Sequence, residues 1–235
     1  MGDAAALTAL IRDHQPCVVL TGAGVSTESG IPDFRSPTGL WAEFDPLDYA
    51  SIESFRADPA RVWSFYARRY EALTRAEPNA GHLALAELER RGLVQAVITQ
   101  NIDMLHARAG TRELVEVHGS IRTASCPTCS RGYGVDDVLA RLPVPACDDD
   151  GAVLKPDVVF FGELLPEAAI DRAYELAQGA ELLLVVGSTL EVHPVAGLPL
   201  EARRFAIANL GPTALDSRAV LRVEGKAGEI LPALL

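Results

Sequence analysis

The apolar residues of this chain are concentrated in short continuous runs. These runs cover residues 17–20, 94–99, 114–117, 158–161, 182–186, 205–208 and 220–223. An unbroken apolar run of this length is typical of a strand that is covered on both faces. Helical patterns separate the runs, over residues 82–91, 166–178 and 195–203. The alternation predicts an α/β fold, a parallel sheet with helices on both faces.

Two regions interrupt this alternation. Residues 45–77 are helical in pattern and rich in aromatic side chains, and residues 120–155 contain three of the four cysteines. A length of 235 residues suits one large domain, or one domain with a small insert. We predict one domain over residues 1–235. Its large Rossmann-like part would comprise residues 1–44, 78–119 and 156–235, and its small inserted part would comprise the helical module (45–77) and the cysteine module (120–155).

Charge and hydropathy limit the expected partners and compartment. The formal net charge is −11, which argues against nucleic-acid binding because that depends on Lys and Arg to neutralise phosphates. The first ten residues lack the basic start and apolar stretch of a signal peptide, and no apolar run approaches the roughly 18 residues of a membrane span. We therefore expect a cytoplasmic protein with no nucleic-acid or membrane partner. Clustered cysteines in such a protein indicate a metal site before a disulfide.

Glycines follow the first predicted strand directly, at Gly22 and Gly24. Glycines at this point let the backbone approach a phosphate and direct its N–H groups at it. The general dinucleotide-binding fingerprint, however, requires a third glycine where this chain has Thr27. On the glycines alone, a phosphate-binding loop and a tight strand-to-helix turn both remain open.

A longer series of motifs favours the phosphate-binding loop over the tight turn. Residues 22–35 read GAGVSTESGIPDFR, and they are followed in order by TQNID at 99–103, Leu105-His106, His118-Gly119, CPTC at 126–129, PDVVFFGE at 156–163, GST at 187–189 and NLG at 209–211. These motifs resemble those of the sirtuins, the NAD-dependent protein-lysine deacylases, and the resemblance extends over roughly residues 8 to 233. It implies the Rossmann-like fold and an enzyme that consumes NAD.

The resemblance also implies where NAD binds. The pyrophosphate would lie on the glycine loop, and the nicotinamide and its ribose would lie beside residues 100–103. The implied cofactor-binding residues are Gly22, Ala23, Gly24, Ser26, Thr27, Asp33, Phe34, Arg35, Gln100, Asn101, Ile102, Asp103, His118, Gly187, Ser188, Thr189, Asn209, Leu210, Gly211, Lys226 and Ala227. Two alternatives stay open, since Asp103 suits a helix cap and Asn209 suits a turn.

His118 and Asn101 are the catalytic candidates that the resemblance implies. An imidazole with an ordinary pKa of about 6.5 suits a general base that takes a proton from a ribose hydroxyl at neutral pH. The acyl oxygen of a modified lysine would displace nicotinamide, and the products would be free lysine and O-acyl-ADP-ribose. NAD would be a co-substrate, so that no hydride moves.

Substrate recognition is expected at a peptide cleft between two chain segments. An extended peptide that adds a strand there gains backbone hydrogen bonds with little sequence preference. The candidate substrate residues are Val158, Phe160, Phe161, Gly162, Glu163, Leu190 and Val192, together with Tyr66 and Arg69. The alternative for residues 158–161 is an ordinary core strand.

The spacing of Tyr66 and Arg69 is similar to the Tyr-x-x-Arg motif of sirtuins that remove succinyl and malonyl groups. Residues three apart share a helix face, and Arg binds a carboxylate by a two-pronged hydrogen bond. The alternative is a surface arginine beside a packed tyrosine. Thr27 and the segment IPDFR at 31–35 look more like deacetylases, so acidic-acyl recognition stays open at this stage.

The cysteine module departs from the family pattern of two Cys-x2-Cys pairs. The second pair is replaced by Cys147 and Asp150, so that the implied ligand set is Cys126, Cys129, Cys147 and Asp150. Zinc accepts carboxylate oxygen, so the set can still close a tetrahedron. We expect one structural zinc, bound more weakly than by four thiolates. The alternative is an empty module held by packing.

The sequence therefore predicts an NAD-dependent protein-lysine deacylase, with acyl-lysine proteins or peptides as its partners. Two alternatives use the same pocket. One is an NAD-dependent mono-ADP-ribosyltransferase, and the other is a non-catalytic module that senses NAD or ADP-ribose.

Overall fold

A computed structural model describes residues 2–34, 36 and 39–235. Within them, two sheets are present. The strands are β1 (Cys17–Thr21), β2 (Ala96–Thr99), β3 (Leu114–Glu116), β4 (Gly119–Ser125), β5 (Gly132–Gly134), β6 (Lys155–Val158), β7 (Leu182–Val186), β8 (Phe205–Asn209) and β9 (Leu221–Glu224). The α-helices are α1 (Gly2–Asp13), α2 (Pro46–Tyr49), α3 (Ile52–Ala57), α4 (Pro59–Arg75), α5 (Ala80–Arg90), α6 (Leu105–Ala109), α7 (Val135–Ala140), α8 (Glu167–Gly179) and α9 (Ala227–Ile230). Short 3₁₀ helices cover Ala23–Ser29, Leu40–Ala42, Val195–Leu200, Asp216–Arg218 and Pro232–Leu234.

The larger sheet has the strand order β3-β2-β1-β7-β8-β9, and all of its strands are parallel. Alternate residues of β1 pack into different hydrophobic clusters, with Val19 on one face and Leu20 on the other. The first cluster includes residues of α1, α5 and α9, and the second includes residues of α8. The predicted α/β fold, with a parallel sheet between two helical layers, is confirmed.

The strand order reverses between β1 and β7, since β2 and β3 extend the sheet to one side and β8 and β9 extend it to the other. In open α/β sheets, a crevice forms at such a reversal, beyond the carboxyl ends of the strands. The loops that follow β1, β2 and β7 therefore meet there.

The smaller sheet is antiparallel and has the order β5-β4-β6. It packs with α3 and α4 around a third hydrophobic cluster, whose largest fully buried side chains include Trp63, Tyr70 and Phe160. Helix α4 begins where the Asp58 carboxylate accepts from the N–H of Arg61, with Pro59 in the first turn. Both features are typical of a helix start.

One predicted strand is wrong. Residues 158–161 were expected to form a strand of the parallel sheet, but only Val158 lies in a strand, at the end of β6 in the antiparallel sheet. Phe160 is apolar because it packs on the helical module, 5.3 Å from the ring of Tyr66 and 5.8 Å from the ring of Phe55. A helix was also expected over residues 195–203, where the chain forms a 3₁₀ helix with Pro199 inside it. Proline lacks the N–H that an α-helix needs at this position.

Candidate active site

The glycine loop after β1 is locked to the loop after β7. The N–H of Gly24 donates to the carbonyl of Gly187 at 2.8 Å. A Cβ on Gly24 would lie 2.8 Å from the Gly187 Cα, and a Cβ on Gly22 would lie 2.8 Å from the Gly187 carbonyl oxygen. Gly187 itself has φ +61°, and its Cβ would lie 2.4 Å from the backbone nitrogen of Val25. These glycines thus permit two backbone loops to touch, in addition to any approach to a phosphate.

Three polar side chains meet at the hydroxyl of Ser26 in this loop. The Ser26 hydroxyl donates to Asp103 Oδ2 at 2.6 Å and accepts from Asn101 Nδ2 at 3.1 Å. His82 Nε2 lies 3.3 Å from Ser26 Oγ. It donates to this oxygen, because the hydrogen of the Ser26 hydroxyl is already donated to Asp103. A hydroxyl has one donor and two acceptor positions, so that all positions of Ser26 are filled.

Asp103 and Asn101 are tied to the backbone as well. Asp103 Oδ1 accepts from the N–H of Leu105 at the start of α6, at 2.9 Å. Asn101 Nδ2 also donates to the carbonyl of Gly22 at 3.1 Å. The N-cap residue of α6 is Met104, and Asp103, one residue earlier, accepts from the first N–H of the helix while it also belongs to the polar cluster.

His118 follows β3 and directly precedes β4. Its Nδ1 lies 3.0 Å from the backbone carbonyl oxygen of Gln100. A carbonyl only accepts, so Nδ1 carries the proton and Nε2 keeps its lone pair. Burial lowers the pKa of His118, and the hydrogen bond to Gln100 opposes this in part. The imidazole is therefore neutral at pH 7, as a base must be.

Gly119 allows this turn at the histidine. Its φ is +73°, and a Cβ there would lie 2.1 Å from the carbonyl oxygen of Asp157 on the neighbouring β6. Any other residue would push β4 away from β6 and would displace His118 with it.

The carboxyl ends of β2 and β7 are joined by side chains. Gln100 Nε2 donates to Ser188 Oγ at 3.1 Å, and Ser188 Oγ in turn accepts from the N–H of Leu190 at 3.3 Å. Ser188 is buried, whereas Thr189 is exposed. Leu190 is buried with a positive φ of 58°, and Val192 is half-buried.

The predicted adenosine-side residues lie after β8 and at α9. Asn209 is buried, and its Nδ2 donates to the carbonyl of Gly211 at 3.0 Å. Leu210 is exposed. Lys226 precedes α9, whose Gly228 N–H donates to Glu28 in the glycine loop at 2.7 Å. This contact links the glycine loop to the C-terminal part of the chain, next to the buried Ala227.

The remaining predicted cofactor residues are distributed around the same loop. Ala23 begins the 3₁₀ helix and Thr27 donates its hydroxyl to the carbonyl of Gly24 at 3.0 Å. The carbonyl of Ile102 accepts from the N–H of Ile121 at 3.1 Å. Asp33 Oδ1 accepts from the N–H of Ser36 at 2.8 Å. Arg35 lies outside the described residues.

Tyr66 and Arg69 lie together on α4, facing the segment that contains Phe34. The Arg69 guanidinium lies 5.1 Å from the centre of the Phe34 ring and 5.5 Å from that of Phe65. Burial lowers the pKa of Arg69, opposed by the nearby Tyr66 and Asp103. Among the residues that the structure describes, no carboxylate forms an ion pair with it. A half-buried cation that forms no ion pair among these residues is costly, and this one is held by aromatic faces and by the longer-range charge of Asp103.

The predicted substrate segment at 158–163 lies between the site and the helical module. The N–H of Val159 donates to the carbonyl of His118 at 2.9 Å. On the other side, the N–H of Phe161 donates to Ala50 at 2.8 Å, and the carbonyl of Phe161 accepts from Ile52 at 3.0 Å. Val158 and Phe160 are buried, Phe161 is partly exposed, and Gly162 has φ +86°.

The four predicted metal ligands come together in the cysteine module. Their ligand atoms, from Cys126, Cys129, Cys147 and Asp150, all lie within 4.8 Å of one another. The Cys129 and Cys147 sulfurs are 3.6 Å apart, and the Cys126 sulfur is 3.4 Å from Asp150 Oδ2. A tetrahedron with bonds of about 2.3 Å to sulfur and about 2.0 Å to oxygen has edges of about 3.5–3.8 Å. The residues present therefore fit one structural zinc.

Hydrogen bonds orient these ligands. The Ala152 N–H donates to Asp150 Oδ1 at 2.9 Å and lowers the pKa of this carboxyl. Tyr133 donates its hydroxyl to the Cys147 sulfur at 3.3 Å, which lowers the pKa of that thiol. Both effects favour the ionised forms that bind a metal.

A model of the Sir2 family matches residues 22–194, which is more than half of the chain. The chain belongs to the Sir2 family. Relatives agree over nearly the full length. A Pyrobaculum aerophilum protein named NAD-dependent protein deacylase 2 is 46% identical over 230 residues, covering 96% of this chain and 92% of the relative. A Geobacillus kaustophilus protein named NAD-dependent protein deacetylase 1 is 45% identical over 234 residues, covering 97% and 96%.

Solved structures of Sir2 proteins also match over nearly the full length of the chain. One holds a deacetylated p53 peptide and 3′-O-acetyl ADP-ribose, and it superposes with a TM-score of 0.95 at 38% identity, covering 99% of this chain and 97% of that one. Another, with a propionylated peptide, has a TM-score of 0.88 at 38% identity and covers 97% and 94%. The predicted family resemblance is thereby confirmed.

Two residues that the sequence did not single out make contacts around this site. His82 lies in the first turn of α5, where it forms a capping box with Asn79 and bonds to Ser26. The spacing Asn79-x-x-His82 before an apolar helix is a signal that could have identified it. The second is Lys155, whose ammonium contacts the carbonyl of Val158 and the carboxylate of Glu163, and which shows no sequence signal beyond its place before Pro156. No helix among the described residues is long and apolar enough to cross a membrane.

Proposed function

We propose that this chain is an NAD-dependent protein-lysine deacylase, which transfers the acyl group of a modified lysine to ADP-ribose and releases nicotinamide. The observation that carries the proposal is the neutral imidazole of His118, whose Nδ1 bonds to the carbonyl of Gln100, the residue before Asn101, in a chain of the Sir2 family. The relatives' names, NAD-dependent protein deacylase and deacetylase, support the same activity.

NAD would lie across the strand-order reversal, with its pyrophosphate on the loop at Gly22 to Gly24. The N–H groups of Gly22 and Gly24 already donate to Val186 and Gly187, so the phosphate and ribose oxygens would meet the N–H of Ala23 and the buried Ser188. Asn101 and Asp103 would receive the nicotinamide end, since an amide and a carboxylate can together pair with a carboxamide. Because the Ser26 hydroxyl is filled by protein partners, we assign it to the orientation of Asn101 and Asp103. NAD supplies the ribose carbon to which the acyl oxygen bonds.

His118 would act as the general base. Its Nε2 is available to take a proton from a ribose hydroxyl, while the Gln100 carbonyl keeps the proton on Nδ1 and stabilises the charged ring that results. Asn101 would act with it by direct contact with NAD. The same imidazole can return the proton later in the reaction.

The acyl-lysine peptide would lie between residues 158–163 and residues 190–193. The first segment is tied to His118 through Val159, which places the peptide next to the base. An extended peptide gains backbone hydrogen bonds in such a cleft, which suits an enzyme that acts on many sequences.

The acyl groups that the enzyme removes from lysine would include acidic ones, namely succinyl and malonyl groups. Arg69 is half-buried, packed on Phe34 and Phe65, and has no ion-pair partner among the described residues. A succinyl or malonyl carboxylate would supply the missing counterion, and the Tyr66 hydroxyl would add a hydrogen bond. We therefore propose desuccinylation or demalonylation alongside deacetylation.

Release of nicotinamide from NAD tests the function. With purified protein, we expect release only when an acyl-lysine peptide is present. Release without peptide, with label passing from NAD to protein, would instead support mono-ADP-ribosylation. Tight NAD binding with no release would support a sensing module and would reject the deacylase.

A further inference from the structure

Lys155 is one of two lysines in the chain, and it stands at the start of β6. Its ammonium lies 2.9 Å from the carbonyl oxygen of Val158, 3.1 Å from that of Pro156 and 2.9 Å from the carboxylate of Glu163. An ammonium has three N–H donors, so that each of them has an acceptor. A surface lysine usually points into water, whereas this one is turned back onto its own chain.

The contacts of the Lys155 ammonium bring the two ends of the segment at 158–163 together. Glu163 Oε2, which binds Lys155, also accepts from the backbone N–H of Phe160 at 2.8 Å. The Lys155 nitrogen also lies 4.4 Å from the centre of the Phe160 ring, within cation–π range. The turn is thus held by the charge of Lys155 at its centre and by Glu163 at its end.

Backbone hydrogen bonds hold the same segment at two other points. Val159 is bonded to the carbonyl of His118, and Phe161 is bonded to the helical module at Ala50. The contacts of Lys155 are made by its side chain, so that a single substitution can remove them without altering the backbone. Its loss would leave the half-buried carboxylate of Glu163 without its cation, and the turn would open as that carboxylate moved to water.

We propose that Lys155 is a positioning residue, which holds residues 158–163 in the shape that receives the acyl-lysine peptide. The proposal rests on the proposed deacylase function. Lys155 is not placed at the NAD loop, so its effect belongs to peptide binding. A residue that only stabilised the fold would change the parameters for both substrates together.

Steady-state kinetics of Lys155→Met and Lys155→Arg test this proposal. For Lys155→Met, we expect the KM for an acetyl-lysine peptide to rise about tenfold, because a charged hydrogen bond is lost. The kcat and the KM for NAD should change by less than about twofold. Arg keeps the charge and should restore the peptide KM to within about threefold of wild type. As a control, Arg203→Met removes a surface cation paired with Glu181 and should change neither KM.

An unchanged peptide KM in Lys155→Met would overturn the proposal, as would a parallel rise of both KM values or no recovery in Lys155→Arg. If Lys155→Met does not fold by circular dichroism, Glu163→Gln weakens the same ion pair from its other end. It should raise the peptide KM without affecting that for NAD, and an unchanged value would reject the proposal.

Binding of a fluorescein-labelled acetyl-lysine peptide, measured by anisotropy without NAD, separates this proposal from the deacylase function. If wild type binds the peptide without turnover, the deacylase proposal fails, while a weaker Kd for Lys155→Met still supports the role of Lys155. If wild type does not bind the peptide, both proposals are rejected.

Discussion

The backbone carbonyl oxygen of Gln100 lies 3.0 Å from Nδ1 of His118. This contact sets the tautomer of the histidine and leaves Nε2 free. The side chain of Gln100 meanwhile donates to Ser188 Oγ at 3.1 Å. One residue therefore orients the base with its main chain and joins the loops after β2 and β7 with its side chain.

The first prediction concerns pH. Burial lowers the pKa of His118 below its ordinary value of about 6.5. A base works in its neutral form, which predominates above its pKa, so kcat/KM should be constant near pH 8 and should fall to half only below about pH 6.5. A pH profile on an acetyl-lysine peptide measures this. Half of the activity lost already at about pH 7 or above would contradict the assignment.

Replacement of the base gives the second prediction. His118→Ala should lower kcat by about 10²–10⁴-fold, the usual contribution of a general base. NAD binding, measured by calorimetry, should persist because the glycine loop is unchanged. A variant that kept its kcat would show that another group takes the proton.

The third prediction concerns the contact between the two glycine loops. Gly24→Ala should lower the free energy of unfolding by about 1–3 kcal/mol, because its Cβ would lie 2.8 Å from the Gly187 backbone. Urea unfolding measures this, and NAD affinity should fall as well. Gly197→Ala is the matched control, since nothing lies within 4 Å of the added Cβ. Equal stability of the two variants would show that the loops separate at little cost.

The fourth prediction concerns acyl choice. Arg69→Met should lower kcat/KM on succinyl-lysine peptides by about 30-fold or more, while that on acetyl-lysine peptides changes by less than about threefold. The control is Arg68→Met, an exposed neighbour on the same helix, which should affect neither substrate. Equal losses on both acyl groups would reject a carboxylate-specific role for Arg69.

The fifth prediction concerns the metal site. Asp150→Ala removes one of the four ligands, so zinc transfer to a chromogenic chelator should become at least about tenfold faster. Asp150→Cys should slow the transfer relative to wild type, because thiolate is the softer ligand. Asp149→Ala, an exposed neighbour paired with Arg131, serves as control. Wild-type protein that is purified without chelator and contains no zinc would contradict the site.

Most of the large sheet could be predicted because its strands are buried on both faces. Leu182–Val186 is wholly buried, and its apolar run marks the strand almost to the residue. Gly119–Ser125 was not predicted as a strand, because it contains Ser120, Arg122 and Thr123 and is partly exposed. Residues 158–161 were wrongly predicted as a strand because they are apolar. Their apolar side chains pack on the helical module from an irregular segment, which the sequence pattern does not distinguish from a buried strand.

The candidate site was predicted through motifs rather than through periodicity. His118 and Asn101 stand inside strings that the family shares, and the structure places both near the carboxyl ends of the predicted strands. The role that we assign to Lys155 depends on a side chain that meets Glu163, which lies five residues beyond the end of the strand. Such a contact is set by the tertiary path of the chain, which no local spacing reveals.

Product stoichiometry tests the central claim most directly. Wild-type protein is incubated with NAD and an acetyl-lysine peptide, and the products are quantified by mass spectrometry. The account predicts nicotinamide, deacetylated peptide and O-acetyl-ADP-ribose in equal amounts, with O-acetyl-ADP-ribose formed about 10²–10⁴-fold more slowly by His118→Ala. Nicotinamide with free ADP-ribose or ADP-ribosylated protein, and with the acetyl group still on the peptide, would contradict it.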